Sequence, residues 1–162
     1  MKLYFKNKLI SFGGDSVVFN ENKETVYKID GKMFSPTKKK LIYDNEKNLV
    51  FVVRNKFWQG GWKKYALIYD ADKNLIATIS NKDWGREIYK VEGYKDELAV
   101  ERHAFSLEFE VFKGEEKYAA ITRDLVAFKD SFVLEGPDED MPFLVALTTA
   151  MDNLIDRRRE KK

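Results

Sequence analysis

The stretch PFLVALTTAMDNLID, Pro142–Asp156, decides the fold. From Phe143 to Met151 no residue carries a charge, and Thr148 and Thr149 are the only polar ones. A surface helix sets an apolar stripe against a polar face, so a helix that is apolar all round has to be buried all round. About ten uncharged residues are too few to cross the ~30 Å hydrocarbon core of a bilayer. Pro142 suits the first helical turn, Asp138, Glu139 and Asp140 suit the positive helix end, and Arg157, Arg158 and Arg159 suit the negative end. These signals predict a helix over about residues 142–158, with a basic tail at 157–162.

The rest of the chain supplies what must surround that helix. Short runs of β-branched and aromatic residues recur from Leu3–Phe5 to Ser131–Glu135, among them Lys8–Phe12, Leu49–Arg54, Leu75–Ser80 and Ser106–Val111. Turn-forming stretches separate them: GGD at 13–15, NENKE at 20–24, DNEKN at 44–48, DADKN at 70–74 and KGEEK at 113–117. One hairpin unit is repeated after about 26 residues: YDNEKNLVFVVR at 43–54 and YDADKNLIATIS at 69–80 share Tyr-Asp-x-acid-Lys-Asn-Leu and then a β run. Weaker echoes are FNENKETVYKI at 19–29 and FKGEEKYAAIT at 112–122. The expected fold is mainly β: one domain over 1–162, a closed antiparallel barrel of about twelve strands around a buried hydrophobic C-terminal helix. Closure removes the exposed edges that so many strands would otherwise present.

Composition narrows the function. The 162 residues contain no Cys and one His, so disulfides, thiolate metal sites and a Cys nucleophile are excluded, and no cofactor or metal centre is expected. The net charge of +2 gives no ground for a nucleic-acid partner. Lys2, Lys6 and Lys8 interrupt any apolar leader, so the expected compartment is the cytoplasm, with peripheral membrane contact as an extension of it. The charge is unevenly spread: 14 basic and 6 acidic residues in 1–64, 10 and 20 in 65–156, 5 and 1 in 157–162. Either a basic side faces an anion, or opposite segments pair within one fold.

The opening LYFKNKLISFGGDSVVF, the segment VYKIDGKMFSPTKKKLIYD and the terminal ALTTAMDNLID together resemble the LURP-one-related family of the tubby C-terminal-like superfamily. The likeness is to its small bacterial stand-alone members, with phospholipid scramblases as more distant relatives, and it covers essentially the whole chain. It implies the helix-filled barrel. It also implies a binding role, since tubby proteins hold phosphoinositide headgroups through basic residues on the barrel. The calcium segment of scramblases has no counterpart here.

The candidate sites are basic and aromatic. Lys56-Phe57-Trp58-Gln59-Gly60-Gly61-Trp62-Lys63-Lys64 sets two Trp and a Phe around a Gly-Gly turn among lysines. Trp suits a membrane interface and Lys suits anionic lipid, but the same residues suit a hairpin whose aromatics pack on the barrel wall. Lys38-Lys39-Lys40 and the tail Arg157–Lys162 form the other basic clusters, which a solvated turn and a helix-dipole complement explain equally well. Gly14-Asp15-Ser16-Val17 resembles a hydrolase block, but His103 lacks the companion Asp that such chemistry needs. Asp70-Ala71-Asp72-Lys73-Asn74 opens like a calcium loop, yet Leu75 stands where Gly is required and Asn81 where Glu is.

The sequence therefore predicts a monomeric, non-enzymatic binding or adaptor domain, its partner an anionic membrane lipid or phosphorylated headgroup. Lys38, Lys39, Lys40, Lys56, Trp58, Trp62, Lys63 and Lys64 are its expected contacts. A protein-interaction scaffold and a carrier of a small apolar ligand are the alternatives. The carrier requires a lumen that the helix leaves open.

Overall fold

Each strand turns an apolar set inward, and these sets meet around one helix. The structure, a computed structural model, describes residues 1–6, 15–31, 35–56, 63–82, 87–103, 107–124 and 131–155. Among them run β1 (Lys2–Lys6), β2 (Ser16–Phe19), β3 (Thr25–Gly31), β4 (Lys40–Asp44), β5 (Leu49–Asn55) and β6 (Tyr65–Asp70). Then follow β7 (Leu75–Asn81), β8 (Ile88–Glu92), β9 (Leu98–Arg102), β10 (Phe109–Lys113), β11 (Glu116–Asp124) and β12 (Ser131–Glu135). Every strand pairs antiparallel with its sequence neighbours, and β1 pairs with β12 over Lys2–Lys6 to close the barrel. The expected strand at Lys8–Phe12 lies outside the described residues. The run expected to begin at Ser106 forms strand only from Phe109, after the amide of His103 donates to the carbonyl of Glu108 at 2.9 Å.

Because the strands alternate in direction, the connections fall into two sets. The β2–β3, β4–β5, β6–β7, β8–β9 and β10–β11 turns lie at one end, where the helix begins, and we call this the hairpin end. The other connections lie at the opposite end, where the helix finishes, and we call this the mouth. The repeated sequence unit is a hairpin-end turn with one fixed geometry. Oδ1 of Asp44 accepts the amides of Glu46 and Asn48, both at 2.9 Å, and Oδ1 of Asp70 accepts those of Asp72 and Asn74, both at 2.9 Å. Asn20 does the same for Asn22 and Glu24, so that echo is also structural. Lys23, Lys47 and Lys73 take the left-handed conformation, with φ of 64°, 66° and 68°, and each hairpin carries a register shift just before its turn. Bonds from backbone amides hold the Asp44 and Asp70 carboxyls below the usual range, so these oxygens already serve the turns.

The helix α1 (Met141–Leu154) follows a 3₁₀ turn at Asp138–Asp140 and fills the lumen. Every residue in it but Pro142 is buried, as an all-round apolar helix requires. The hydroxyls of Thr148 and Thr149 donate to the carbonyls of Leu144 and Val145 four residues back, at 2.8 and 2.9 Å, so neither is left unsatisfied. Gly136 permits the bend from β12 into the helix: a Cβ there would stand 2.6 Å from Leu144 Cδ1 and 3.1 Å from Ala119 Cβ. The helix ends at Leu154 instead of about 158, because Ile155 turns extended with ψ 117°. Arg157, Arg158 and Arg159 lie outside the described residues. No described helix is long and apolar enough to cross a membrane.

Acidic residues mark the helix entrance, but not as simple caps. Asp140 sits at the N-cap and makes no capping bond with its side chain. Its buried carboxylate instead accepts from the hydroxyls of Tyr94 and Tyr118 and, at 2.7 Å, from Lys95 Nζ. Tyr94 also stacks on Phe143 with ring centroids 3.6 Å apart. The β8–β9 turn and β11 are thereby tied to the start of the helix. Burial pushes the Asp140 carboxyl up, but the bonds from Lys95 and Tyr94 and the charges of Lys95 and Lys113 outweigh it and hold the group below its ordinary value. Burial and the Asp140 carboxylate together push Tyr94 up to about 12.

A carboxyl with a depressed folded pKa stabilises the fold above its unfolded pKa of about 3.9, and that contribution disappears as pH falls through the folded value. Asp140→Asn should therefore melt at lower temperature at neutral pH and lose stability less steeply than wild type below about pH 4. Asp44 and Asp70 remain to give the variant some acid dependence. Parallel curves for the two proteins in acid melts would show that Asp140 is not held by this network.

Candidate functional site

At the mouth the helix presents its last carbonyls, the negative end of its dipole. Lysines from two connections meet it. The first is built by Ser35, whose hydroxyl accepts the amide of Lys39 at 3.0 Å and whose carbonyl accepts that of Lys38 at 3.2 Å. This turn carries Lys38 at a positive φ of 52°. It is fixed to β5 by the amide of Asn55, which donates to the Thr37 carbonyl at 2.7 Å. The second connection leaves β5 at Lys56, whose amide donates to the Tyr65 carbonyl at 3.0 Å, and returns through Lys63 and Lys64. The amide of Lys64 donates to Asn81 Oδ1 at 2.7 Å, which ties β6 to β7.

From these positions the lysines divide into two groups. Lys38 Nζ donates to the carbonyl of Asn153 at 3.3 Å, and Lys64 Nζ reaches the carbonyl of Leu154 at 3.5 Å. Lys40 Nζ lies 2.7 Å from Asp152 Oδ2, in a pair whose side chains are 12% and 7% exposed. Lys38, Lys40 and Lys64 thus complement the helix terminus, the task the sequence assigns to Arg157–Arg159. The second group points elsewhere. Lys39 and Lys56 are exposed, as Lys38 and Lys64 also are over much of their length, and Lys56 and Lys63 flank the Tyr65 ring, with Nζ 5.1 and 5.9 Å from its centroid. Trp58 and Trp62, the aromatic half of the expected site, lie outside the described residues.

Two asparagines complete the mouth, and neither stands out in the sequence. Asn55 Nδ2 donates to the Asn153 carbonyl at 3.2 Å, and Asn153 Nδ2 donates to the Lys38 carbonyl at 2.9 Å. Their Oδ1 atoms are buried and accept no hydrogen bond. Asp152 is the one residue of this group with a legible signal: it is the only charge within an otherwise uncharged helix, and a buried charge demands a partner.

The charge asymmetry of the sequence appears along the barrel axis. Lys38, Lys39, Lys40, Lys56, Lys63 and Lys64 lie at the mouth, and Lys82 lies just beyond the mouth end of β7. Asp44, Glu46, Asp70, Asp72, Asp138 and Glu139 lie at the hairpin end. Each set has the sign that complements the nearer helix terminus.

The catalytic constellations weighed in the sequence stay apart. Ser16 is buried, with its hydroxyl unbonded, on β2; His103 is exposed beyond the end of β9, with six strands between them one way round the barrel and four the other. Among the described residues no group of three or more His, Asp or Glu side chains could hold a metal ion.

A family model described as LURP-one-related matches residues 1–152. Among solved structures, the barrel is similar to the X-ray structure of a protein from Arabidopsis thaliana, with a TM-score of 0.62 and 16% identity over 94% of this chain and 90% of that one. At that identity the likeness speaks for the fold alone. No curated protein matches the chain.

Proposed function

On the premise that this chain belongs to the LURP-one-related family, whose model spans residues 1–152, we propose that it is a non-enzymatic binding domain that docks its mouth on anionic lipid headgroups. The observation that carries the reading is the convergence of two sequence-distant lysine clusters on one end of the barrel, with Lys39 and Lys56 exposed there. Lys38, Lys40 and Lys64, of which only Lys40 is largely buried, hold the helix that shapes the mouth. Each lysine near an anionic surface contributes about 1 kcal/mol, so a small cluster gives reversible, salt-sensitive attachment. Trp58 and Trp62 would add a shallow aromatic contact, as the sequence of their connection suggests. A carrier of apolar ligands is disfavoured, because α1 occupies the lumen with buried side chains.

Co-sedimentation with vesicles tests this reading. Binding is expected to vesicles rich in anionic lipid, not to neutral ones, and to weaken as salt shortens the screening length to about 10 Å at 0.1 M. Lys39→Glu with Lys56→Glu should weaken binding about tenfold or more while leaving the melting curve unchanged. Charge reversal at Lys40 is unsuitable for this purpose, since it attacks the ion pair with Asp152. Equal binding to neutral and anionic vesicles, or none to either, would remove the lipid reading.

A further inference from the structure

The outer wall of β4 to β7 carries an unbroken apolar line across four strands. Ile42, Phe51, Val53, Ala66 and Ile68 face the core, so their strand neighbours face outward. Those outward neighbours are apolar or aromatic. Leu41 stands opposite Val52, Val52 opposite Tyr69, and Tyr69 opposite Leu75, which makes one line across four strands perpendicular to their axes. Tyr43 opposite Leu49 extends the patch toward the hairpin end, and Leu67 extends it toward the mouth. Leu41, Val52, Leu67 and Tyr69 are all partly exposed, and Leu75 is 53% exposed. Elsewhere apolar outward positions such as Ile88, Ala99 and Val133 are interspersed with charges, as at Lys90, Glu101 and Glu110. The one charge inside the patch, Arg54, lies against Tyr69, with its NH2 group 2.9 Å from the Tyr69 hydroxyl and its carbon 5.2 Å from the ring centroid. A contiguous apolar stripe on an outer wall marks an interaction surface.

Charge identifies what fits it. At the hairpin end of these same strands Asp44, Glu46, Asp70 and Asp72 outnumber Lys47 and Lys73, while Lys39, Lys56 and Lys63 lie at the mouth end. A surface that is apolar in the middle, acidic at one end and basic at the other is complementary to itself turned around. We propose that a second copy of this chain packs on the wall, with barrel axes antiparallel and a two-fold axis near Val52, in place of the monomer expected from the sequence. The acids of each copy then lie over the lysines of the other, and the Leu41–Val52–Tyr69–Leu75 line of each faces its own counterpart. A two-fold interface is isologous, so every substitution in the stripe acts twice.

Sedimentation velocity on the full chain, over a wide concentration series at low and high salt, tests the proposal. A monomer–dimer equilibrium is expected, weaker at high salt. Val52→Lys should lower the association constant by about tenfold or more, because two ammoniums meet at the axis. Leu75→Lys should lower it as well, and its exposed position keeps that variant folded if Val52→Lys is not. Thr122→Lys, on β11 six strands round the barrel, should leave association unchanged. A monomer at every concentration in low salt would overturn the proposal. So would a dimer that neither stripe variant weakens, or one that Thr122→Lys weakens as strongly.

Discussion

Leu147→Asp leaves no cooperatively folded domain. Leu147 is fully buried in the middle of α1 as part of the barrel core, and the helix carries no basic residue. A carboxylate there has neither water nor a partner. Its transfer from water costs more than most single changes, and the lost leucine contacts add about 3 kcal/mol. Against a total stability of about 5–15 kcal/mol, the sum reaches the whole margin. Circular dichroism and thermal melting should show a lost or greatly lowered transition. Leu147→Met, which keeps the volume, should cost less than about 1.5 kcal/mol. A Leu147→Asp protein that melts like wild type would place the helix outside the barrel and reopen its insertion into a bilayer.

Lys40→Met should cost about 3 kcal/mol or more, far above a surface lysine such as Lys39. The reason lies in Asp152. Its carboxylate is 7% exposed and paired at 2.7 Å with Lys40, and removing the ammonium takes a neutralising charge from a buried carboxylate beside helix carbonyls of the same sign. The double variant Lys40→Met/Asp152→Asn should recover part of the loss, because it removes the buried carboxylate charge along with the ammonium. Urea unfolding of wild type, both single variants and the double measures this coupling. Additive losses would show that the two side chains act independently. The same experiment separates folding from binding at the mouth: Lys40 should move stability, and Lys39 and Lys56 should move lipid attachment.

The architecture was legible because its signal is physical and local. An uncharged helix needs a container, and short strands separated by Asx turns make a closed one. The repeated Tyr-Asp-x-acid-Lys-Asn-Leu unit reads directly as the turns capped by Asp44 and Asp70, and Asn20 makes the weaker echo at 19–29 structural too, whereas the one at 112–122 turns at Gly114. The helix end was misplaced, because the arginines after it offered a plausible dipole complement in sequence. The structure supplies that complement from Lys38, Lys40 and Lys64, about a hundred residues away, and no local pattern reports such a contact. The Asp140 network was hidden for the same reason. Tyr94, Lys95 and Tyr118 look like ordinary turn and strand residues until barrel closure brings them to the helix entrance. The lysine clusters were visible in sequence. Which of them reach the helix end was not.

Because α1 follows all twelve strands in sequence, it is made after the barrel that needs it. β1 waits for β12 before the ring closes, and the ring waits for residues 141–154 before it has an interior. Hairpins such as β4–β5 and β6–β7 need only their own neighbours and form early, with their apolar faces uncovered. At the usual ~5–20 residues per second of synthesis, those faces stay open to solvent for seconds. Until Leu154 has been made, these uncovered apolar faces are prone to aggregate.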